Sequence, residues 1–221
     1  MLLQDVKYAL RSLWLAKGFA VVAILCLGFG IGLNSTIFSI VDGVLLKPYP
    51  YADPDRLVYL ASENRTSGAD RAGVSFRDLE DLRTSARSFA TVTGLQFRSL
   101  SVSDSGGEPS RYQGQLITWD LFPMLGVQPI LGRAFTASDD QPGAAAVALI
   151  SHAVWTLRYH NDGNVIGRQI LVNGNPTVIV GVMPARFEFP ENAKLWLPIT
   201  PILTPPPARD ARSLNVFARL A

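Results

Sequence analysis

The chain has one cysteine in 221 residues, Cys26, and two histidines, His152 and His160. A lone cysteine excludes an intrachain disulfide framework and any thiolate cluster around a metal. Histidine pairs that ligate zinc from a helix sit at i, i+4, whereas these two lie at opposite ends of one predicted helix. They read as surface or capping residues. A basic excess is missing too. From Pro48 to Ala221 there are 16 Lys+Arg and 16 Asp+Glu, and Lys194 is the single lysine among them. Nucleic-acid-binding domains carry a net basic face, so no nucleic-acid partner is expected. No Gly-x-Ser-x-Gly elbow marks a serine nucleophile. The nearest approach to a phosphate-binding loop is Gly163-Asn164-Val165-Ile166-Gly167-Arg168. It is short by one residue, lacks the lysine, and puts Gln169 where Ser or Thr is needed. These glycines read as turn glycines. Asp139-Asp140, and Asp78 with Glu80-Asp81, read as solvated charge, because an acid–base pair needs a spatial placement that adjacency does not supply. No catalytic residue, metal ligand or cofactor is expected, and the chain is not read as an enzyme.

What is present begins near the N-terminus. Gly18 to Val41 is a run of 24 residues without a charge. A spanning helix needs roughly 20 apolar residues to cross a hydrocarbon core of about 30 Å. A cleaved signal sequence has an apolar core of about 7–15 residues and a small-residue cleavage site. This run is longer and no Ala-x-Ala site follows it, so an uncleaved anchor is predicted. Lys7, Arg11 and Lys17 flank it on the N-terminal side, against Lys47 and the more distant Arg56 on the other. That bias places the N-terminus in the cytoplasm and the bulk of the chain outside. Residues 1–16 read as an amphipathic helix, with Leu2, Leu3, Val6, Leu10, Leu13 and Trp14 opposite Asp5, Lys7 and Arg11, suited to the membrane interface. Apolar periodicity continues to Leu46 until Pro48 and Pro50 stop it. A helix from Gly18 to Leu46 would be about 43 Å long, enough for a short projecting stalk or a tilted span. The expected organisation is a cytoplasmic segment 1–17, a membrane helix and stalk 18–46, and an outer domain 47–221.

Gly28 and Gly32 form a Gly-x-x-x-Gly pair within the span, with Gly30 between them and Asn34, Ser35 and Thr36 just beyond. Small residues let helix backbones approach closely, and polar side chains hydrogen-bond across such contacts. A lone anchor has no need of this, so partner helices are expected at Gly28, Gly32 and Asn34. Asp42, Pro48 and Pro50 would link the helix to the outer domain.

The outer part alternates short strand and helix signals. Leu57 to Ala61 reads as a strand. Ser75, with Asp78 three residues on, reads as the cap of a helix from Phe76 to Ser85. Phe89 to Ser103 reads as strands broken at Gly94, and Ser105-Gly106-Gly107 as a turn. Tyr112 to Thr118 fits a strand, and Trp119 to Leu125 a short helix ended by Gly126. Ala146 to Ile150 reads as a buried strand, and Ser151 as the cap of a helix through about Tyr159. Asn173-Gly174 between Gln169–Val172 and Thr177–Val182 is a hairpin signature. Beyond Pro184 a loop is expected, with Trp196 and Leu197 as an edge strand and Pro201 to Pro207 as an exposed loop or linker. Leu214 to Leu220 begins another strand, and the chain stops inside it, as a fragment would. No internal repeat is visible. The pattern is α+β: an α+β extracytoplasmic domain on one N-terminal transmembrane helix.

Several segments, taken in order, carry a family resemblance. Gly30 to Pro50 resembles the first membrane helix of MacB-like, FtsX-type ABC transporter permeases, and is similar to the large permeases of this class found in Acidobacteria and their relatives. Asp120 to Gly126, Pro129 and Gly132-Arg133-Ala134-Phe135 resemble the family's periplasmic core domain. So do Val147 to Ser151 with Trp155, Val165 to Arg168, Val172-Asn173-Gly174, Val178 to Pro184, Phe187 to Pro190 and Leu195 to Pro198. The resemblance covers nearly the whole chain. It implies a permease subunit in the inner membrane, partnered by a cytoplasmic ABC ATPase, by other permease helices in a dimer or pseudo-dimer, and by the lipid bilayer. It also implies that ATPase motion is passed to the outer domain for export or for regulation of other proteins. The family's three later membrane helices are missing from this sequence. Two other readings compete: a single-pass anchored binding or sensor module, and an anchored extracytoplasmic enzyme, for which no candidate pocket cluster is visible.

Overall fold

The computed structural model of the protein describes residues 11, 14–41, 51–64, 69–104, 108–185, 187, 189–190 and 192–221. Most of the amphipathic segment 1–16, the stalk with Asp42, Pro48 and Pro50, and the turn Ser105-Gly106-Gly107 lie outside the described residues. The chain divides into two compact units after Pro50.

The first unit contains α1, Lys17–Val41, a helix of 25 residues and thus about 37 Å long at a rise of 1.5 Å per residue. Its segment Lys17–Ser39 has a mean hydropathy of 2.1, and none of that apolar window is buried. At the N-terminal end the Lys17 ammonium lies 5.6 Å from the centre of the Trp14 ring. Lysine and tryptophan together are the residue types that mark a membrane–water interface.

The second unit is the α+β domain. In chain order it contains β1 (Leu57–Leu60), β2 (Ser62–Asn64), β3 (Ala69–Ala72), α2 (Phe76–Ser85), β4 (Phe89–Ser103), β5 (Ser110–Ile117), α3 (Leu121–Leu125), β6 (Leu131–Gly132), β7 (Val147–Ile150), α4 (His152–Tyr159), β8 (Gln169–Val172), β9 (Asn175–Val182), β10 (Leu195–Pro198) and β11 (Asn215–Leu220). Local signals set the helix ends. The Ser75 hydroxyl accepts from the Asp78 N–H at 3.1 Å and caps α2, and the Ser151 hydroxyl accepts from the Val154 N–H at 3.2 Å and caps α4. Gly126 closes α3 in the left-handed conformation, φ 70°. Asn173 and Gly174, at φ 51° and 83°, form the tight turn of the β8–β9 hairpin.

Nine strands form one mixed sheet in the order β1-β11-β4-β5-β10-β7-β9-β6, while β8 pairs with both β4 and β9. The path β4-β5-β10-β7-β9-β8 therefore returns to β4 and closes a ring. Two neighbours in it are parallel, β5 with β10 and β7 with β9, and α4 provides the crossover for the second. Adjacent residues face opposite cores. Leu116, Ala148, Ile150, Ile179, Leu195 and Leu197 belong to one cluster with Leu79 and Val154. Ile117, Val147, Leu149, Val180 and Trp196 belong to another, with Phe122, Phe135 and Phe187. Strands buried on both faces read as continuous apolar runs, and VALI and LWLP are such runs.

Three expectations are corrected. Gly94 does not break β4, which is one 15-residue strand. A side chain there would meet Leu79 of α2 at 2.4 Å, so the glycine makes room for the helix packed on the sheet. Trp196 and Leu197 are not at an edge: β10 lies between β5 and β7, and Trp196 is fully buried. Asp139 and Asp140 are not solvated but buried, at 9% and 5% exposure.

Candidate functional site

Among the described residues, two regions bear on function: the surface of α1 and the start of the outer domain. On α1, a Cβ added to Gly28, Gly30 or Gly32 would meet nothing within 4 Å. At roughly 3.6 residues per turn, Gly28, Gly32, Ser35 and Thr36 share one stripe, while Gly30 and Asn34 share another, nearly opposite. Thr36 Oγ1 donates to the Gly32 carbonyl at 2.8 Å, so this hydroxyl is already engaged within its own helix. Gly28, Gly32 and Asn34 thus lie on two faces rather than one, and all are exposed.

The head of the outer domain, residues 51–57, is a junction that the sequence did not disclose. Tyr51 packs edge-on against Phe189 with ring centres 5.5 Å apart, and against Phe187 at 6.4 Å. The Ala52 N–H donates to the Leu125 carbonyl at 3.1 Å. Asp53 has φ 41°, which turns the chain sharply into a short 3-10 turn over Pro54–Arg56. The next residue starts β1, whose partner is β11, with Leu57 opposite Arg219. The first and last strands of the unit are therefore neighbours. The Arg219 guanidinium reaches back over them: Nη2 donates to the carbonyls of Ala52 at 2.5 Å and Met124 at 2.6 Å. No local signal marks this residue, because its partners lie far away in the chain.

Beside this junction, a hollow of about 550 Å³ is lined by Arg83, Phe89, Trp119, Asp120, Met124 and Arg219, among others. Its Arg83 and Asp120 side chains are paired. Arg83 is ion-paired with Asp120 and donates through Nε to the Val92 carbonyl at 2.8 Å. Thr118 Oγ1 donates to Asp120 at 2.7 Å. Asp120 thus ties α2 to the end of β5 and the start of α3.

The two adjacent aspartates act as ties. Arg133 grips Asp139 through two nitrogens, at 2.6 and 2.9 Å, and both the N–H and the hydroxyl of Thr136 donate to the same carboxylate at 2.7 Å. Burial pushes the Asp139 carboxyl upward, but the Arg133 and Thr136 hydrogen bonds outweigh it and hold the group at about 2. Asp140 accepts from the backbone N–H groups of Trp119 at 3.1 Å and Thr200 at 2.8 Å, joining the end of β5 to the end of β10. Burial raises its pKa despite those bonds. Another charged cluster is on the surface, where Arg209 contacts Asp78 and Asp81 at 2.6 and 2.8 Å. His152 opens α4, and its Nδ1 lies 3.3 Å from Thr156 Oγ1. His160 caps the other end at φ 51°.

The structure is similar to the periplasmic region of MacB from Actinobacillus actinomycetemcomitans, with TM-score 0.57 and 15% identity over 75% of this chain and 74% of that one. It is similar to a domain of a permease protein from Porphyromonas gingivalis, with TM-score 0.61 and 17% identity over 79% and 76%. The extracellular domain of the noncanonic ABC-type transporter YknZ from Gram-positive bacteria gives TM-score 0.51 and 17% identity over 74% and 81%. A search of curated proteins by sequence finds no match. The sequence profile of the MacB-like periplasmic core domain matches residues 20–221, and the chain belongs to that family. The segments that carry the resemblance supply both cores: Ala148, Ile150, Val165, Ile179 and Leu195 to the first, and Phe122, Phe135, Leu149, Phe187 and Trp196 to the second. Phe122, Phe187 and Trp196 pack with ring centres 5.7–5.9 Å apart.

Proposed function

We propose that this chain is the first membrane helix and outer domain of a permease subunit that passes the motion of a cytoplasmic ABC ATPase to the far side of the plasma membrane. In this reading residues 1–17 are cytoplasmic, 18–46 span the membrane and project as a stalk, and 47–221 lie outside. The ATPase supplies the chemistry and the outer domain supplies movement, for export or for regulating another protein. Partner helices of the permease pack on α1 at Gly28, Gly32 and Asn34, and Asp42, Pro48 and Pro50 connect helix to domain. The observation that carries the reading is a helix of spanning length whose apolar window is wholly unburied, joined to an outer domain with two filled cores of its own. Such a helix needs partners, and such a domain can be moved as a body.

The test uses the assembled transporter in membranes, with Cys26→Ser, Ile37→Cys and Leu157→Cys. Ile37 and Leu157 are 53% and 80% exposed. A membrane-impermeant maleimide should reach Leu157→Cys from outside intact cells, and spin labels at the two positions should change their distance distribution when ATP is trapped in the ATPase. A distribution indifferent to nucleotide would refute the coupling, and labelling only after permeabilisation would refute the orientation.

A further inference from the structure

We infer that Arg219 is the positioning residue that makes the junction rigid, so that a displacement of the membrane linker reaches β11 and α3 instead of peeling β1 away. The inference rests on the coupling reading above. The leading residues of the domain are the ones that a moving helix would pull. Their only regular anchorage among the described residues is the short β1 strand, four residues paired with β11. A ladder loaded at one end opens pair by pair, because each backbone hydrogen bond bears the load in turn. The structure supplies what prevents this. The Arg219 guanidinium gathers three carbonyl groups from two remote segments. Nε and Nη2 donate to Met124 at 3.1 and 2.6 Å, Nη2 donates to Ala52 at 2.5 Å, and Nη1 donates to Asp53 at 3.3 Å. The Asp53 carboxylate lies 3.9 Å away, and the Arg219 side chain is only 14% exposed, so water competes little for these donors.

The lock works from both strands. Arg56, just before β1, donates through Nη2 to the Leu220 carbonyl of β11 at 2.7 Å, while Arg219 of β11 holds Ala52 and Asp53. Gly126 lets the parts close: in its left-handed conformation, φ 70°, an added Cβ would sit 2.9 Å from the Ala52 Cβ. Three elements, the leading segment, the end of α3 and β11, thus meet on one planar cation. Lysine cannot replace it, because an ammonium lacks the fork that addresses separate carbonyls in fixed directions.

Hydrogen exchange on the full chain and the nucleotide-dependent distance measurement test this together. Arg219→Ala removes charge-assisted hydrogen bonds, so the Ala52 amide and the β1 amides should exchange at least about tenfold faster, while the β8–β9 hairpin keeps its rates. Arg219→Lys, which retains the charge and the stem, should show most of the same acceleration and guards against a variant that fails to fold. In the assembled transporter, Arg219→Ala should hydrolyse ATP yet lose at least half of the wild-type shift between Ile37→Cys and Leu157→Cys. Unchanged exchange over residues 52–60, or equal acceleration in the hairpin, would overturn the lock. A full shift in Arg219→Ala beside a full shift in wild type would overturn Arg219 as the transmitting residue while leaving the coupling reading intact. No shift in wild type would remove the coupling reading and this inference with it.

Discussion

Phe29, Leu33 and Phe38 on α1 are 77%, 66% and 64% exposed, whereas Phe122, Leu149 and Trp196 in the outer domain are fully buried. The same residue types stand in opposite environments within one chain. Glycine shows the contrast more sharply. A Cβ at Gly28, Gly30 or Gly32 would meet open space, whereas one at Gly114 would stand 2.2 Å from Leu100 Cδ1. At Gly94, Gly114 and Gly181 of the domain, other side chains or backbone already fill the space beside the glycine. On α1 the space is empty. Large contiguous apolar surface marks a membrane or a partner interface, which is the reading proposed above for α1, whereas the domain fills two cores of its own.

Breaking the domain side should cost most. Trp196→Ala empties the centre of the second core, and about 3–5 kcal/mol of stability should be lost. Chemical denaturation followed by domain fluorescence from the remaining tryptophans checks this, and the helicity of α1 in detergent should not change. Gly114→Ala overpacks a site where Leu100 is itself buried, so a loss of about 1–3 kcal/mol is expected. Gly30→Ala is its control: with no neighbour within 4 Å, it should leave the unfolding midpoint of the domain where it is. Equal effects at the two glycines would erase the contrast drawn here.

Acid provides a gentler probe. Asp139 is held at about 2, against an ordinary value of 3.8. A carboxylate depressed by folding stabilises the fold above its unfolded pKa, and that contribution disappears as pH falls through the folded value. The domain should therefore weaken between about pH 4 and pH 2, and Asp139→Asn should be less stable at neutral pH but flatter across that window. Asp140 works with the opposite sign, since burial raises its pKa: its protonation favours the folded state as pH falls. A stability-versus-pH curve for Asp139→Asn parallel to that of wild type would contradict the assignment of the acid-labile contribution to Asp139.

What the sequence disclosed follows the range of the physics involved. Helix caps at Ser75 and Ser151, the left-handed stop at Gly126 and the Asn173-Gly174 turn are local, and the corresponding elements were legible. The uncharged run of α1 was legible because length and charge alone define it. Long-range features were hidden. The strand Leu195–Pro198 looked peripheral because it is short and flanked by loops, yet two strands from earlier in the chain enclose it. Gly94 looked like a break because its use depends on Leu79 of another element. Asp139 and Asp140 looked solvated because their donors, Arg133, Thr136, Trp119 and Thr200, are assembled only by folding. Arg219 sits 167 positions from Ala52, and nothing in its own neighbourhood announces that contact.

The proposed role of the α1 surface is tested most directly by assembly. Gly28→Leu with Gly32→Leu should be made in the full-length permease and copurification with the ATPase and the other permease helices measured. The complex should be lost while the outer domain keeps its wild-type unfolding midpoint. A double variant that copurifies and functions as wild type would contradict the claim that this face of α1 is built to receive partner helices.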